Sequence, residues 1–440
     1  MKTVVIGGGI AGLTAARARQ RAGVETLLLE RGPEPGGVIR SVRRDGFLLE
    51  TGPNTVRPTP ELLEIVAELA LGSELLVSDP RLPRYVDFRG RLHPLPTSPL
   101  ALLTTRLLSV SGKLGILAEP FRRSPAPSEE SVRDFFTRRL GPEVADRVVA
   151  PFVSGIFAGD ASRLSAPDAF PALTRWEREA GSVLLGAIRG ARSSRRGTTR
   201  SRARVRGLLS FREGLSTLPR AMARSLGSAF RAGASVDRIG PAAGRFAVRD
   251  ARAEIEADEV ILASPAADAA NLVRPFAPEA AAALDSIEHP PLAVLHLAWP
   301  VAALRRPLAG FGHLVVPDAS RRILGAVWSS SLFPGRAPEG QALLTVFLGG
   351  ARDPETPRLA DGRLVDLAVR DLEAEGLVRG APSLILATRW ERSIPQYTNG
   401  HASRMQALAR AEARWPGLKF AGNYRSGISV GDVVKAARAV

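Results

Sequence analysis

The stretch VVIGGGIAG, residues 4–12, restricts the folds open to this chain more than any other. Val4, Val5 and Ile6 make a short apolar strand, and residues 13–22 have the composition of a helix. The glycines between them suit a turn that must pass close to something. Gly7 permits the tight turn, Gly9 lets the backbone approach a pyrophosphate, and Gly12 lets the helix pack against the strand. Gly8, Ile10 and Ala11 complete the loop, so that phosphates would sit at a helix N-terminus, where unpaired N–H groups and the dipole favour negative charge. A second strand at 26–29 ends at Glu30, an acid suited to a ribose hydroxyl and hostile to a 2′-phosphate. That argues against NADP.

Redox chemistry in this chain is left to a cofactor or to O2. There is no cysteine, which excludes disulfides, thiolate metal sites and iron–sulfur clusters. At 440 residues and 45% hydrophobic content, the chain can build two or three domains. The formal charge of +16 is nearly all arginine, since Lys2, Lys113, Lys419 and Lys435 are the only lysines. GC-rich coding explains that bias as well as selection does, but the positive potential still favours phosphate, carboxylate or an acidic membrane surface. No signal peptide or transmembrane span is read, so a cytoplasmic protein is expected. His93, His289, His296, His313 and His401 lack metal-ligand spacing, so no metal is expected, and no Ser-His-Asp arrangement is read.

Along the chain, residues 59–141 read as helical segments separated by prolines. Within them, SPLALLTTRLLSVSGKLGILAEPF is either a core helix or an amphipathic segment lying on a membrane. The basic stretch RSSRRGTTRSRARVR, 192–206, follows a helical pattern ending near Ile188. It has no aromatic rings between its cations, as single-strand readers need, so it reads as a solvated, mobile loop and no nucleic acid partner is expected. Strands follow at 234–240, 245–250 and 254–262, and a run of strand-like segments at 291–387 encloses a helix at 363–375. Two further helices are expected at 402–414 and 432–439.

FAD is favoured over NAD by what flanks this unit. Gly36-Gly37 offers a second close backbone approach just after Glu30, and FAGNYRSGISVGDVV near the C-terminus is a strand, a glycine-rich turn and a helix start. At VVIGGGIAGLTAA, GGVIRS and FREGLSTLP the sequence resembles the protoporphyrinogen oxidase family, within the amine oxidase and phytoene desaturase group. PRYVDFRGRLHPLP, RRLGPEVADRVVAPFVSGIFAGDASRLS, GFGHLVVP, ILGAVWSSSLFPGRAPEG, TVFLGGARDP and IPQYTNGH resemble that family alone.

The resemblance implies an α/β fold, α+β overall. It has a Rossmann-like domain for non-covalent FAD, a mixed-sheet substrate domain and a helical membrane-binding insertion. The corresponding spans are 1–56, 207–288 and 400–440; 289–399; and 57–206 with an Arg-rich loop at 189–206. It implies oxidation of protoporphyrinogen IX to protoporphyrin IX by O2, with H2O2 released. Carried over residue by residue, Gly7 to Gly12, Glu30, Arg31, Gly37, Val38, Gly52, Pro53, Asn54, Thr55, Val236, Asn423, Ile428, Ser429 and Val430 would border FAD. Arg84 would meet a substrate propionate, Leu314, Val327 and Phe347 would wall the macrocycle, and Gly155 would line the pocket with backbone.

A broad apolar ring edged by carboxylates needs such walls and a guanidinium. No catalytic base is read, since the flavin carries the difficult step. The family also suggests attachment to the inner face of the membrane, a homodimer and a haem-pathway partner such as ferrochelatase. Rival readings are coproporphyrinogen III oxidation, another flavin amine oxidase or desaturase, and a non-catalytic porphyrin carrier or scaffold.

Overall fold

The apolar runs at 4–6 and 260–262 have no polar face, which suits central strands of a parallel sheet covered on both sides. The computed structural model describes residues 1–96, 101, 104–122, 127, 129–196, 205–318 and 320–440. In it, Lys2–Ile6 pairs in parallel with Glu259–Leu262 on one side and Glu25–Glu30 on the other. Leu418–Phe420 and Phe230–Ala232 form the two edges. Val4, Val5, Val260 and Ile261 are fully buried. The opening helix, Ile10–Arg21, packs beside Val430–Arg438, and an antiparallel sheet of Val236–Ala242, Arg245–Asp250 and Glu254–Ala257 joins the same core.

The chain divides into two compact units. The first contains Met1–Pro80, Arg206–Glu288 and Ala402–Val440, and the second contains Arg81–Val205 and His289–His401. Residues 57–80 therefore group with the nucleotide-type sheet, while the rest of the expected insertion groups with 289–399. The helical reading of 59–141 also needs revision. Pro60–Glu68 is a helix capped by Thr59, but the chain turns at Ala70 and forms the strand Leu75–Val77, antiparallel to Leu209–Phe211. Arg84–Phe88 and Arg91–Pro94 are likewise strands, joined by the two-residue turn Arg89-Gly90 with φ of 56° and 73°. That turn matches the twist of a hairpin, and the alternation RYVDF was its legible signal.

In the second unit a seven-stranded sheet runs in the order Ser383–Trp390, Leu292–Pro300, Gln341–Gly349, Ile323–Val327, Gly312–Val315, Arg84–Phe88, Arg91–Pro94. One pairing is parallel, between Gly312–Val315 and Arg84–Phe88, so the sheet is mixed. Its core face packs under the helix Asp361–Ala374 through Leu364, Ala368 and Leu372.

That face also buries a polar group. Trp328 Nε1 donates to His313 Nδ1 at 3.2 Å, and His313 Nε2 stands 2.9 Å from Glu375 Oε2. Burial, and then the Glu375 charge, push the nearby Asp87 carboxyl up to about 6. The helix expected to end near Ile188 instead spans Val183–Arg196, because Arg and Ala continue a helix readily. The remainder of the basic stretch, 197–204, lies outside the described residues.

Candidate functional site

Each glycine of the opening loop meets a different steric demand. Gly7 has φ +110°, and a Cβ there would come 2.8 Å from the Ala263 backbone. A Cβ on Gly12 would lie 1.9 Å from the Gly7 carbonyl oxygen, so only glycine lets the helix sit this close to the strand end. A Cβ on Gly9, by contrast, would meet nothing within 4 Å, which leaves space beside the loop. Gly9 begins the helix without any side-chain cap, and no acid occupies the first turn. The first-turn N–H groups, from Ile10 to Gly12, therefore face a region suited to an anion.

Glu30 closes this cradle. Its Oε2 accepts from Gly8 N at 2.5 Å and its Oε1 from Gly32 N at 2.6 Å, which fixes the carboxylate at the end of the second strand. Gly36 N donates to Gly8 O at 2.8 Å, and a Cβ on Gly37 would lie 3.3 Å from Gly9 Cα, so the second glycine pair folds over the first. Ala234 N donates to Glu30 O at 2.8 Å, which brings the start of the Val236 strand beside Glu30.

Val38 and the turn 52–55 follow as one piece, since a Cβ on Gly52 would lie 1.9 Å from Val38 O. Beyond Pro53, Asn54 Nδ2 donates to Gly52 O at 3.2 Å, and Thr55 leads on to the Arg57–Thr59 segment. A Cβ on Gly431 would come 2.7 Å from Thr59 Cγ2. The helix start at Val430, capped by Ser429 and preceded by Asn423 and Ile428, therefore packs against that segment. Arg31 stands apart from these groups, with an exposed side chain 3.5 Å from Asp268.

These residues fit FAD. Gly9 and Gly37 give an uncapped helix start with room for a pyrophosphate, and Glu30 suits an adenosine ribose. Val38 and 52–55, with the helix start at 428–430 packed on the following Arg57–Thr59 segment, would border the remainder of the cofactor.

In the second unit, strand register gathers the residues expected to meet substrate. Gly312 lies opposite both Arg84 and Val327, and Gly325 lies opposite both Leu314 and Phe347. Side chains alternate along strands, so Arg84, Leu314, Val327 and Phe347 share the face turned away from the core. Gly312 and Gly325, which the residue-by-residue reading passed over, lie in the middle of that face and put no side chain into it. Their signal was present as glycine inside two β-rich runs, GFGHLVVP and ILGAVW.

Gly155 is drawn to the same face. A Cβ there would lie 2.2 Å from Leu314 Cδ2, so the helix Ala150–Phe157 meets this face with bare backbone. The Arg84 guanidinium is exposed and stands 5.2 Å from the Phe311 ring centroid; no carboxylate pairs with it among the described residues.

A glycine-cradled dinucleotide site in one unit and a largely apolar sheet face in the other are the parts of a flavin oxidoreductase. The chain belongs to the flavin containing amine oxidoreductase family, which matches residues 10–440. Within it, the chain groups with the protoporphyrinogen oxidases. It is 33% identical over 99% of its length to the chloroplastic protoporphyrinogen oxidase of Oryza sativa subsp. japonica, covering 86% of that protein. It is 35% identical to the protoporphyrinogen oxidase of Bos taurus and 28% identical to the coproporphyrinogen III oxidase of Bacillus subtilis (strain 168), covering 99% of this chain and 96% of the relative in each case.

Among solved structures, a chain of Exiguobacterium sp. 255-15 provisionally assigned as a protoporphyrinogen oxidase shares the fold at TM-score 0.81 and 24% identity. It covers 97% of that chain and all of this one. A reduced UDP-galactopyranose mutase shares the fold at TM-score 0.74 and 17% identity, with 99% of this chain and 94% of that one covered. The protein is thus an FAD-dependent oxidoreductase.

Proposed function

We propose that the protein oxidises a porphyrinogen to the corresponding porphyrin in haem biosynthesis, with O2 as the final electron acceptor. The observation that carries this reading is the gathering of Arg84, Leu314, Val327 and Phe347 on one sheet face around Gly312 and Gly325. A flat macrocycle can lie over such a surface, with apolar walls around it and a carboxylate held by the Arg84 fork. Bound FAD supplies a hydride acceptor for a carbon of the macrocycle.

The chain's own groups bind, orient and exclude water. Leu314, Val327 and Phe347 hold the ring plane, Arg84 fixes one edge, and the bare backbone at Gly155 lets the helix Ala150–Phe157 pack directly on Leu314 and brace that wall. A pyrrole N–H proton leaves for solvent as each hydride departs, and tautomerisation moves the last surplus meso proton to nitrogen, so that the porphyrin keeps two N–H groups. The Bos taurus and plant relatives bear the name protoporphyrinogen oxidase, which supports a dicarboxylate substrate.

One observation favours a second substrate, the tetracarboxylate coproporphyrinogen III. Arg91 lies opposite Phe88, four places along the strand from Arg84, so the two arginines share one face. Aerobic turnover of both porphyrinogens, read by porphyrin fluorescence, tests the reading. About three H2O2 per porphyrin are expected, and Arg84→Ala should raise KM by roughly 10- to 100-fold, the loss of a charge-assisted pair. No turnover of either substrate by the FAD-loaded protein would overturn it.

Peripheral attachment to an acidic membrane forms part of the proposal. Val110, Leu114, Leu117 and Phe121 are 74%, 59%, 54% and 84% exposed, on and just beyond the helix Val110–Leu117. The three helical positions are spaced for one side, an apolar stripe that water does not favour. Among the described residues no helix is long and apolar enough to cross a membrane. Vesicles containing anionic lipid should sediment the protein, and Leu114→Glu with Phe121→Glu should leave most of it in the supernatant. Equal sedimentation of both forms would remove this part of the proposal.

A further inference from the structure

The stretch IPQYTNGH belongs to neither the cofactor cradle nor the sheet face, yet its Gln396 is 2% exposed. Both of its amide hydrogens have acceptors. Gln396 Nε2 donates to Phe157 O at 2.8 Å and to Ile394 O at 2.9 Å. Phe157 is the last residue of the helix Ala150–Phe157, where carbonyls lack partners inside the helix. The chain then turns through Ala158 at φ 48°, and a Cβ on Gly159 would lie 2.5 Å from Gln396 Oε1.

The sheet holds the other side of this turn. Ala351 N donates to Ala158 O at 2.8 Å, just past the strand that carries Phe347. Ala158 itself packs in the small cluster that includes Val294 and Phe347. The helix end is therefore tied at two carbonyls in succession, the first to Gln396 and the second to the end of a sheet strand, and Gly155 lies two residues upstream of the first.

We propose that Gln396 is a positioning residue that holds Gly155 against Leu314, and so sets where Leu314 stands on that face, by fixing the end of this helix. The inference rests on the reading of that face as the porphyrinogen wall. A side chain needed only for volume would not require an amide here. Leucine would fill the space but leave the Phe157 and Ile394 carbonyls unpaired, and the helix end would shift to rehydrate them.

The test compares the FAD-loaded wild type with Gln396→Leu and Gln396→Glu, measuring steady-state porphyrinogen oxidation at several pH values. In Gln396→Leu, KM is expected to rise about tenfold with kcat within about twofold, because a displaced helix end unseats Leu314, which weakens binding and leaves the chemistry in place. Gln396→Glu regains one donor when its buried carboxyl is protonated. Its KM, relative to wild type, should therefore fall as pH is lowered from about 8 to about 6, while the Gln396→Leu ratio stays flat. A purely structural role would lower melting temperature without that pH-dependent recovery.

Unchanged KM in both variants, or a flat ratio for Gln396→Glu, overturns the inference. Should Gln396→Leu fail to fold, the Gln396→Glu ratio decides alone. A wild type that oxidises no porphyrinogen overturns the substrate reading and this inference together, whereas an active wild type with unaffected variants overturns this inference only.

Discussion

Gly12→Ala is expected to yield a protein that purifies nearly colourless. The added methyl would lie 1.9 Å from the Gly7 carbonyl oxygen and 3.1 Å from Ala263 Cβ, and Gly7 is itself pressed against the Ala263 backbone. No side-chain rotation relieves a backbone contact, so the first turn of the helix must move away from the strand end. That displacement carries off the N–H groups that would hold the pyrophosphate. We expect FAD affinity to fall at least about 100-fold, or about 2.7 kcal/mol, together with a lower melting temperature.

Gly9→Ala is the informative partner. Its Cβ meets no protein atom, so melting of the cofactor-free protein should stay near wild type while FAD affinity falls, because the methyl occupies the space left for the phosphates. Flavin absorbance after gel filtration and thermal melting read both effects. Normal FAD content in Gly12→Ala would refute the placement of the cofactor at this loop.

Arg139→Ala and Glu119→Ala are each expected to cost about 3–5 kcal/mol, and to lower melting by about 10 °C, through loss of one ion pair in the second unit. Glu119 is fully buried and Arg139 nearly so. Arg139 Nε donates to Glu119 Oε1 at 2.9 Å, and its other nitrogens donate to Arg122 O at 2.9 Å and Gly181 O at 2.8 Å. Glu119 also accepts from Ser182 Oγ, Val183 N at 2.9 Å and Leu184 N at 3.3 Å, so it caps the helix Val183–Arg196.

Burial opposes the charge on Glu119, but the Ser182 hydroxyl, the helix N–H groups and Arg139 outweigh it and hold its carboxyl below the ordinary range. A carboxyl depressed in the folded state stabilises fully above its unfolded pKa of about 4.3, and that contribution is lost as pH falls through the lower folded value. Removing Arg139 strands Glu119 without its counter-charge, and removing Glu119 leaves Arg139 only the longer contact of 3.5 Å to Glu177 Oε1. Glu119→Leu with Arg139→Met should therefore cost less than the sum of the two alanine variants, since both buried charges are gone. Additive losses in thermal melting would contradict this account.

Much of the first unit was legible in the sequence because its signals are local. A strand, three spaced glycines and an acid at the next strand end sit within thirty residues, and each demand acts on near neighbours in the chain. Strands at 234–262 and helices near 402–414 and 432–439 were legible for the same reason. The residues 59–94 were misread where a distant partner decides the outcome. LLV at 75–77 continues a helical pattern, yet it becomes a strand because Leu209–Phe211 supplies its hydrogen bonds. Arg84–Phe88 is completed by Gly312–Val315, more than two hundred residues later. The Arg-rich run was read as a loop from residue 189 onward, although Val183–Arg196 is a helix whose start depends on a carboxylate at Glu119.

The candidate site divides along the same line. The amino-acid order alone determined the chemistry available, namely a dinucleotide cradle, no thiol and an arginine suited to a carboxylate. These follow from residue type and short spacing, which no folding event alters. Tertiary structure decided which side chains share a surface. Register set Arg84, Leu314, Val327 and Phe347 on one face, left Gly312 and Gly325 bare between them, and brought Gln396 to the end of a helix about 240 residues away. The physical reason is that strand pairing and buried hydrogen bonds are chosen by the lowest free energy of the whole core, and a one-residue shift of register would have turned every one of those side chains to the opposite face.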